Sequence, residues 1–141
     1  MSQHENKRQG TLYEKKFVVR ALEEGLDPHP CPGEYLAHDY LVTNRAGDVF
    51  KVQIKGTQIT ASDERRGPSE RFRITAGHGA NKEVLDCATV DVLAAYIEPY
   101  DAWYLIPCLK VRAKSVWFYP GNEKSKAQYE QFRENWDYFL G

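Results

Sequence analysis

Apolar residues fall at helical spacing near the start of the chain and at strand spacing through its middle. Phe17, Val18, Ala21 and Leu22 recur at intervals that predict an amphipathic helix. Thr11 suits the N-cap of that helix, and Glu14 three residues later completes a capping-box pattern. Gly25 marks the expected stop, with Pro28 shortly beyond. The first nine residues (MSQHENKRQ) are polar and read as a flexible lead. Residues 27–33 (DPHPCPG) read as a proline-rich connector.

Residues 35–43 (YLAHDYLVT) and 49–55 (VFKVQIK) are strand-like, and NRAGD between them has turn chemistry. The pair predicts a β-hairpin. Residues 58–71 are polar and predict an exposed loop, followed by a short strand at 72–75, a flexible GHGAN and a turn of helix at 82–86. Residues 89–96 (TVDVLAAY) and 103–106 (WYLI) predict two buried strands around the turn EPYD. Residues 115–119 form a further strand that Pro120 ends. A closing helix is expected over 124–140, with Tyr129, Phe132, Trp136 and Phe139 on one face. This order predicts an α/β fold with a mixed central sheet flanked by helices, in one domain spanning 10–141.

Composition narrows the field. A chain of 141 residues with 42% apolar and 28% charged residues can bury a core and is not disordered. The net charge of −1 counts mildly against nucleic acid as a partner, but the charge of the contact face matters more than the total. Three cysteines without a CxxC pair are expected to be reduced thiols in the cytoplasm. The polar start predicts no signal peptide, and no apolar run approaches the roughly 20 residues of a membrane span.

The hairpin carries the candidate chemistry. In the strand VFKVQIK, Phe50, Val52 and Ile54 alternate with Lys51, Gln53 and Lys55, so Gln53 and Lys55 share the face opposite the apolar one. A three-residue turn over Arg45, Ala46 and Gly47 would set Asp39 against Gln53, with Cβ atoms about 4.5–5.5 Å apart. A four-residue turn would send Asp39 to the other face. A carboxylate and an amide oxygen on one patch suit Mg²⁺, which takes oxygen ligands and keeps several waters. A lysine beside such an ion can orient water or stabilise developing charge. An acid inside the mostly apolar run around Asp39 costs free energy unless paired or metal-bound.

Glu14 on a helix, Asp39 on a strand and Gln53-Ile54-Lys55 on the paired strand resemble the PD-(D/E)XK nuclease superfamily. The Gln variant is most similar to small single-domain PD-(D/Q)XK homing endonucleases of bacterial group I introns, and more distantly to archaeal-type Holliday junction resolvases. The resemblance implies a restriction-endonuclease-like αβββαβ core and a Mg²⁺- or Mn²⁺-dependent DNA endonuclease. It implies that Asp39, Gln53, Glu14 and the Ile54 carbonyl hold the metal and that Lys55 is the catalytic lysine. His38 stands where the family has Pro, and Gln53 where it usually has an acid. The second departure removes a negative charge, which either weakens metal binding or marks an inactive relative.

Plainer readings stand beside these. Glu14 is equally explained as a capping-box acid, and Lys55 as a solvated strand residue. Asp91 in an apolar strand reads as a satisfied structural acid, and His29, Cys31 and His38 do not have the spacing of a closed zinc site. Lys15, Lys16, Thr57, Gln58, Arg65 and Arg66 are candidate DNA contacts, or simply a solvated surface. A nuclease with one site per chain needs a symmetric homodimer or higher homo-oligomer to break both strands in one encounter. The alternatives are a nucleic-acid-binding module that does not cut, and an assembly protein using the aromatic C-terminal third.

Overall fold

A 21-residue helix, α1 (Gln3–Glu23), opens the chain. The computed structural model describes residues 3–31, 39–58, 71–76, 85–121 and 129–140. The helix begins at Gln3 rather than after Thr11, so residues 3–9 are helical and not a flexible lead. They are rich in Gln, Glu, Lys and Arg, which are good helix formers however polar they are. Thr11 is therefore no N-cap; its hydroxyl donates to the Lys7 carbonyl one turn back, at 3.0 Å. The predicted stop at Gly25 holds. Gly25 takes φ +81°, Leu26 N–H donates to Ala21 O at 2.9 Å, and Gly25 N–H donates to Leu22 O at 3.0 Å, which is a Schellman motif. Tyr13, Phe17 and Ala21 form the buried stripe of the helix.

Four residues after the helix, β1 (Asp27–Pro30) forms the edge of a five-stranded sheet. This corrects the reading of DPHP as a mere connector. Prolines are compatible with an edge strand when their nitrogens face away from the neighbour. Here Asp27 and His29 alternate with Pro28 and Pro30, and Cys31 N–H, next in the alternation, donates to Asp39 O at 3.0 Å. The other strands of the sheet are β2 (Tyr40–Thr43) and β3 (Val49–Thr57), then, past β4 (Phe72–Thr75), β5 (Val92–Ile97) and β6 (Ala102–Pro107). Their spatial order is β1-β2-β3-β5-β6. β3 and β5 are parallel and every other pair is antiparallel, so the sheet is mixed as expected. β4 pairs with β7 (Ser115–Phe118) in a separate two-stranded sheet.

The sheet is covered on both faces, which is why β5 is apolar at every position. Phe17, Val52, Ile54, Val92, Ala94, Trp103 and Leu105 pack on the α1 side. Leu93, Ala95, Tyr104 and Ile106 pack on the other side against Phe72, Val116 and Phe118.

The expected closing helix is absent among the described residues. Two short 3-10 turns, Glu130–Phe132 and Trp136–Leu140, stand in its place. Arg133 between them is extended and Glu134 has φ +54°. The four aromatic residues do not share one face: Tyr129 and Phe132 enter one core, and Trp136 and Phe139 enter the other. The reason lies in β6, an edge whose backbone needs partners. Glu134 N–H donates to Trp103 O at 2.7 Å, and Trp103 N–H donates to the Glu134 carboxylate at 3.0 Å. The tail is drawn along that edge instead of coiling on itself.

Cys87 and Cys108 form a disulfide, with Cα atoms 5.6 Å apart, and only Cys31 is a free thiol. The expectation of three reduced cysteines is therefore corrected; spacing in sequence does not reveal that the start of β5 meets the end of β6. Closing a loop of 21 residues restricts the unfolded chain by about 3 kcal/mol. Denaturant unfolding with and without reductant should differ by about that amount, and a Cys108→Ser variant should match the reduced protein. Among the described residues no helix is long and apolar enough to cross a membrane.

Candidate active site

The turn that sets the hairpin register is built around Asn44. Its N–H donates to Asp48 O at 3.0 Å, and Gly47, at φ +90°, donates its N–H to Asn44 O at 3.1 Å. Asn44 is 4% exposed; its Oδ1 accepts from Asp48 N–H at 2.9 Å and its Nδ2 donates to Phe139 O at 2.7 Å. Three residues, Arg45, Ala46 and Gly47, thus span the turn. Tyr40 faces Val52 and Thr43 faces Val49, which is the predicted register.

At Asp39 the register changes. Its N–H donates to Val52 O at 2.8 Å, the carbonyl of the residue opposite Tyr40. Asp39 and Tyr40 together oppose Val52, which is the two-against-one arrangement of a β-bulge. Asp39 is consequently not set squarely against Gln53 as an unbroken ladder would require. Its carboxylate instead reaches along β3, where Oδ2 accepts the Ile54 N–H at 2.8 Å. A side-chain oxygen thus stands where the next rung of the ladder would be. Backbone groups alternate along a strand, so the Ile54 carbonyl is directed to the same side as its N–H, into the gap where β2 departs.

Glu14 approaches that gap from α1. It lies inside the helix rather than at its start, so the capping-box explanation for it no longer applies. Its side chain is half-buried, and burial, then the negative charge of Asp39, raise its pKa above the ordinary carboxyl value, with Lys15 opposing. Two carboxylates that feel each other in a partly desolvated place are a natural seat for a cation. Burial and the same two acids raise the Tyr40 hydroxyl, and burial and Asp39 raise the Cys31 thiol. Tyr40 and Cys31 therefore border the acidic gap, a placement that only the fold reveals.

Gln53 and Lys55 project from β3 on the face opposite Val52 and Ile54, as the alternation predicts. Gln53 is 3% exposed and Lys55 is half-buried. The face they share is thus partly covered, not a solvated surface. The structure brings Glu14, Asp39 and the Ile54 backbone together at the gap, and Gln53 and Lys55 flank Ile54 along β3. Oxygen donors of this kind fit a hard divalent cation. Among the described residues there is no group of three or more His, Cys, Asp or Glu side chains that could hold a metal ion, so a cation here would rely on two carboxylates together with amide and carbonyl oxygens.

Asp91 is a structural acid. Its Oδ2 accepts the Lys51 N–H at 2.8 Å, while its own N–H donates to Lys51 O at 2.8 Å, pinning β5 beside β3. Of the candidate DNA contacts, Lys15 and Lys16 line an open cleft of about 450 Å³ with Arg20, and Lys16 Nζ lies 5.6 Å from the Tyr96 ring centre. Arg20 itself is held by Glu24 and Glu134. Thr57 ends β3, and Gln58 lines a second cleft of about 400 Å³ with Arg8 and Gln9. Arg8 was not singled out by sequence because it fell within the supposed flexible lead. Arg65 and Arg66 lie outside the described residues, as does His38.

Residues 4–138 match the sequence model of a family described as PD-(D/E)XK endonuclease. The fold is similar to that of the bacterial homing endonuclease I-Ssp6803I, with a TM-score of 0.73 at 20% identity over 95% of this chain and 92% of that one. It is also similar to Hjc, a Holliday junction resolvase of the archaeal hyperthermophile Archaeoglobus fulgidus, with a TM-score of 0.52 at 14% identity over 87% and 88% of the two chains. Comparison with curated protein sequences finds no match.

Proposed function

Because the chain belongs to the PD-(D/E)XK endonuclease family, we propose that it hydrolyses phosphodiester bonds in DNA with the help of Mg²⁺ or Mn²⁺. The observation that carries this reading is the bulge at Asp39, which aims a carboxylate at the Ile54 backbone beside Glu14. Asp39, Glu14, Gln53 and the Ile54 carbonyl would hold the ion. A divalent ion in such a site lowers the pKa of bound water and offsets charge on the phosphoryl group. The chain's own residues do the rest. Asp39 is held in place by Ile54 N–H. Lys55 presents an ammonium that orients the attacking water and stabilises the charge developing on the phosphate. Lys15, Lys16, Thr57 and Gln58, with Arg65 and Arg66, would contact the DNA backbone and fix its register. A symmetric homodimer or higher homo-oligomer would place two sites on one duplex. An intracellular setting with access to DNA, in the cytoplasm or at the nucleoid, fits this activity.

The test is cleavage of supercoiled plasmid, Holliday-junction and single-stranded DNA with Mg²⁺ and with EDTA. Cleavage of at least one substrate, abolished by EDTA, is the expected result. No cleavage of any of them would overturn the enzyme reading.

One observation favours a second reading. Gln53 supplies no charge to the site, so the chain would bind DNA without cutting it. A mobility shift that weakens steeply with salt, without any cleavage, would establish that alternative.

A further inference from the structure

Helix α1 crosses β3 at a point where the strand has no side chain. At Gly56, a Cβ would stand 2.7 Å from Cε2 and Cγ of Tyr13, and nearer still to Cδ2. The Tyr13 ring therefore lies directly against the strand backbone. Gly56 does not occupy the left-handed region, so the site needs glycine for space and not for conformation. The ring cannot swing aside. Tyr13 is 6% exposed, its hydroxyl donates to Glu98 Oε2 at 2.7 Å, and its ring centre lies 5.7 Å from that of Tyr96. Glu98 opens the turn that follows β5, so the ring is clamped between the helix, β3 and the end of β5.

The two contacting residues adjoin the candidate site. Tyr13 precedes Glu14, and Gly56 follows Lys55. We propose that the Tyr13–Gly56 contact is a positioning device for the metal site: the missing side chain at 56 sets the depth to which α1 settles on β3, and thereby how near Glu14 comes to Asp39 and Ile54. Tyr13 and Gly56 touch neither metal nor DNA in this account. They act through the height of the helix. Close-packed interiors transmit such a displacement, because a methyl group cannot be absorbed where a ring already fills the space.

This inference rests on the metal-dependent reading above, and its test separates the two. Binding of Mn²⁺ alone is measured by electron paramagnetic resonance, with thermal unfolding followed in parallel. Gly56→Ala should remain folded and bind Mn²⁺ about 10- to 100-fold more weakly, the range seen when groups that orient ligands are altered. Tyr13→Phe, which keeps the ring, should retain wild-type affinity. Gly56→Ala combined with Tyr13→Ala, which makes room for the new methyl, should recover much of the loss. Cleavage kinetics should show the effect in kcat, with KM for DNA little changed. A folded Gly56→Ala protein with wild-type Mn²⁺ affinity would overturn the inference while leaving the proposed function intact. If Gly56→Ala does not fold, Tyr13→Leu takes its place: weakened Mn²⁺ binding supports the inference and unchanged binding overturns it. Absence of Mn²⁺ binding by the wild-type protein would overturn both.

Discussion

Asp39→Ala is expected to abolish metal-dependent cleavage and Mn²⁺ binding together, whereas Lys55→Ala is expected to slow cleavage and leave Mn²⁺ binding intact. The contrast follows from where the two side chains stand. Asp39 is held at the gap by the Ile54 N–H and shares its field with Glu14, so on the proposed reading its removal takes away a metal ligand and one of the two acids there. Lys55 supplies a positive charge and no metal ligand. General acid–base help is worth roughly 10²–10⁴ in rate, and Lys55→Ala should lower kcat by about that factor. Single-turnover plasmid nicking, read beside Mn²⁺ titration, checks both. If Asp39→Ala still binds Mn²⁺ as the wild type does, the metal is held elsewhere. If Lys55→Ala cuts at the wild-type rate, the lysine is a strand residue and nothing more.

Phe17→Ala is expected to lower the unfolding free energy by about 3–5 kcal/mol, the largest stability effect of any single truncation considered. Phe17 is fully buried, and its ring lies 5.4 Å from that of Trp103, 5.8 Å from Trp136 and 6.3 Å from Tyr40. One side chain thus joins α1, β2, β6 and the C-terminal tail. No neighbour can collapse into the void without dragging one of these elements with it, which places the substitution at the costly end of the range. Denaturant unfolding followed by tryptophan fluorescence measures it. A loss below about 1 kcal/mol, typical of a substitution at a peripheral site, would show that the aromatic cluster is not what seats the helix.

The hairpin that carries the candidate site is legible in the sequence because it depends on local rules. The turn needs Asn44 and Gly47, and those two residues fix a register that places Tyr40 against Val52. Alternation in β3 separates Val52 and Ile54 from Gln53 and Lys55. What sequence did not reveal depends on neighbours remote in the chain. The bulge at Asp39 forms where β2 is also held from the other side, by Cys31 N–H on Asp39 O. The supposed closing helix misled for a related reason. Aromatic residues at intervals of three and four satisfy a helix, but they equally satisfy a chain that runs along β6 and feeds two cores in turn. The helix starts ahead of the capping pattern because residues 3–9, though polar, favour helix. The disulfide followed from the fold and from nothing in the spacing.

The amide of Asn44, which donates to the Phe139 carbonyl, joins residues 95 positions apart. During synthesis the hairpin therefore leaves the ribosome long before the group that seals its turn. Until then the turn is held by its local bonds alone, from Asn44 to Asp48 and Gly47. Sealing of the hairpin turn is thus a late event in the life of the nascent chain.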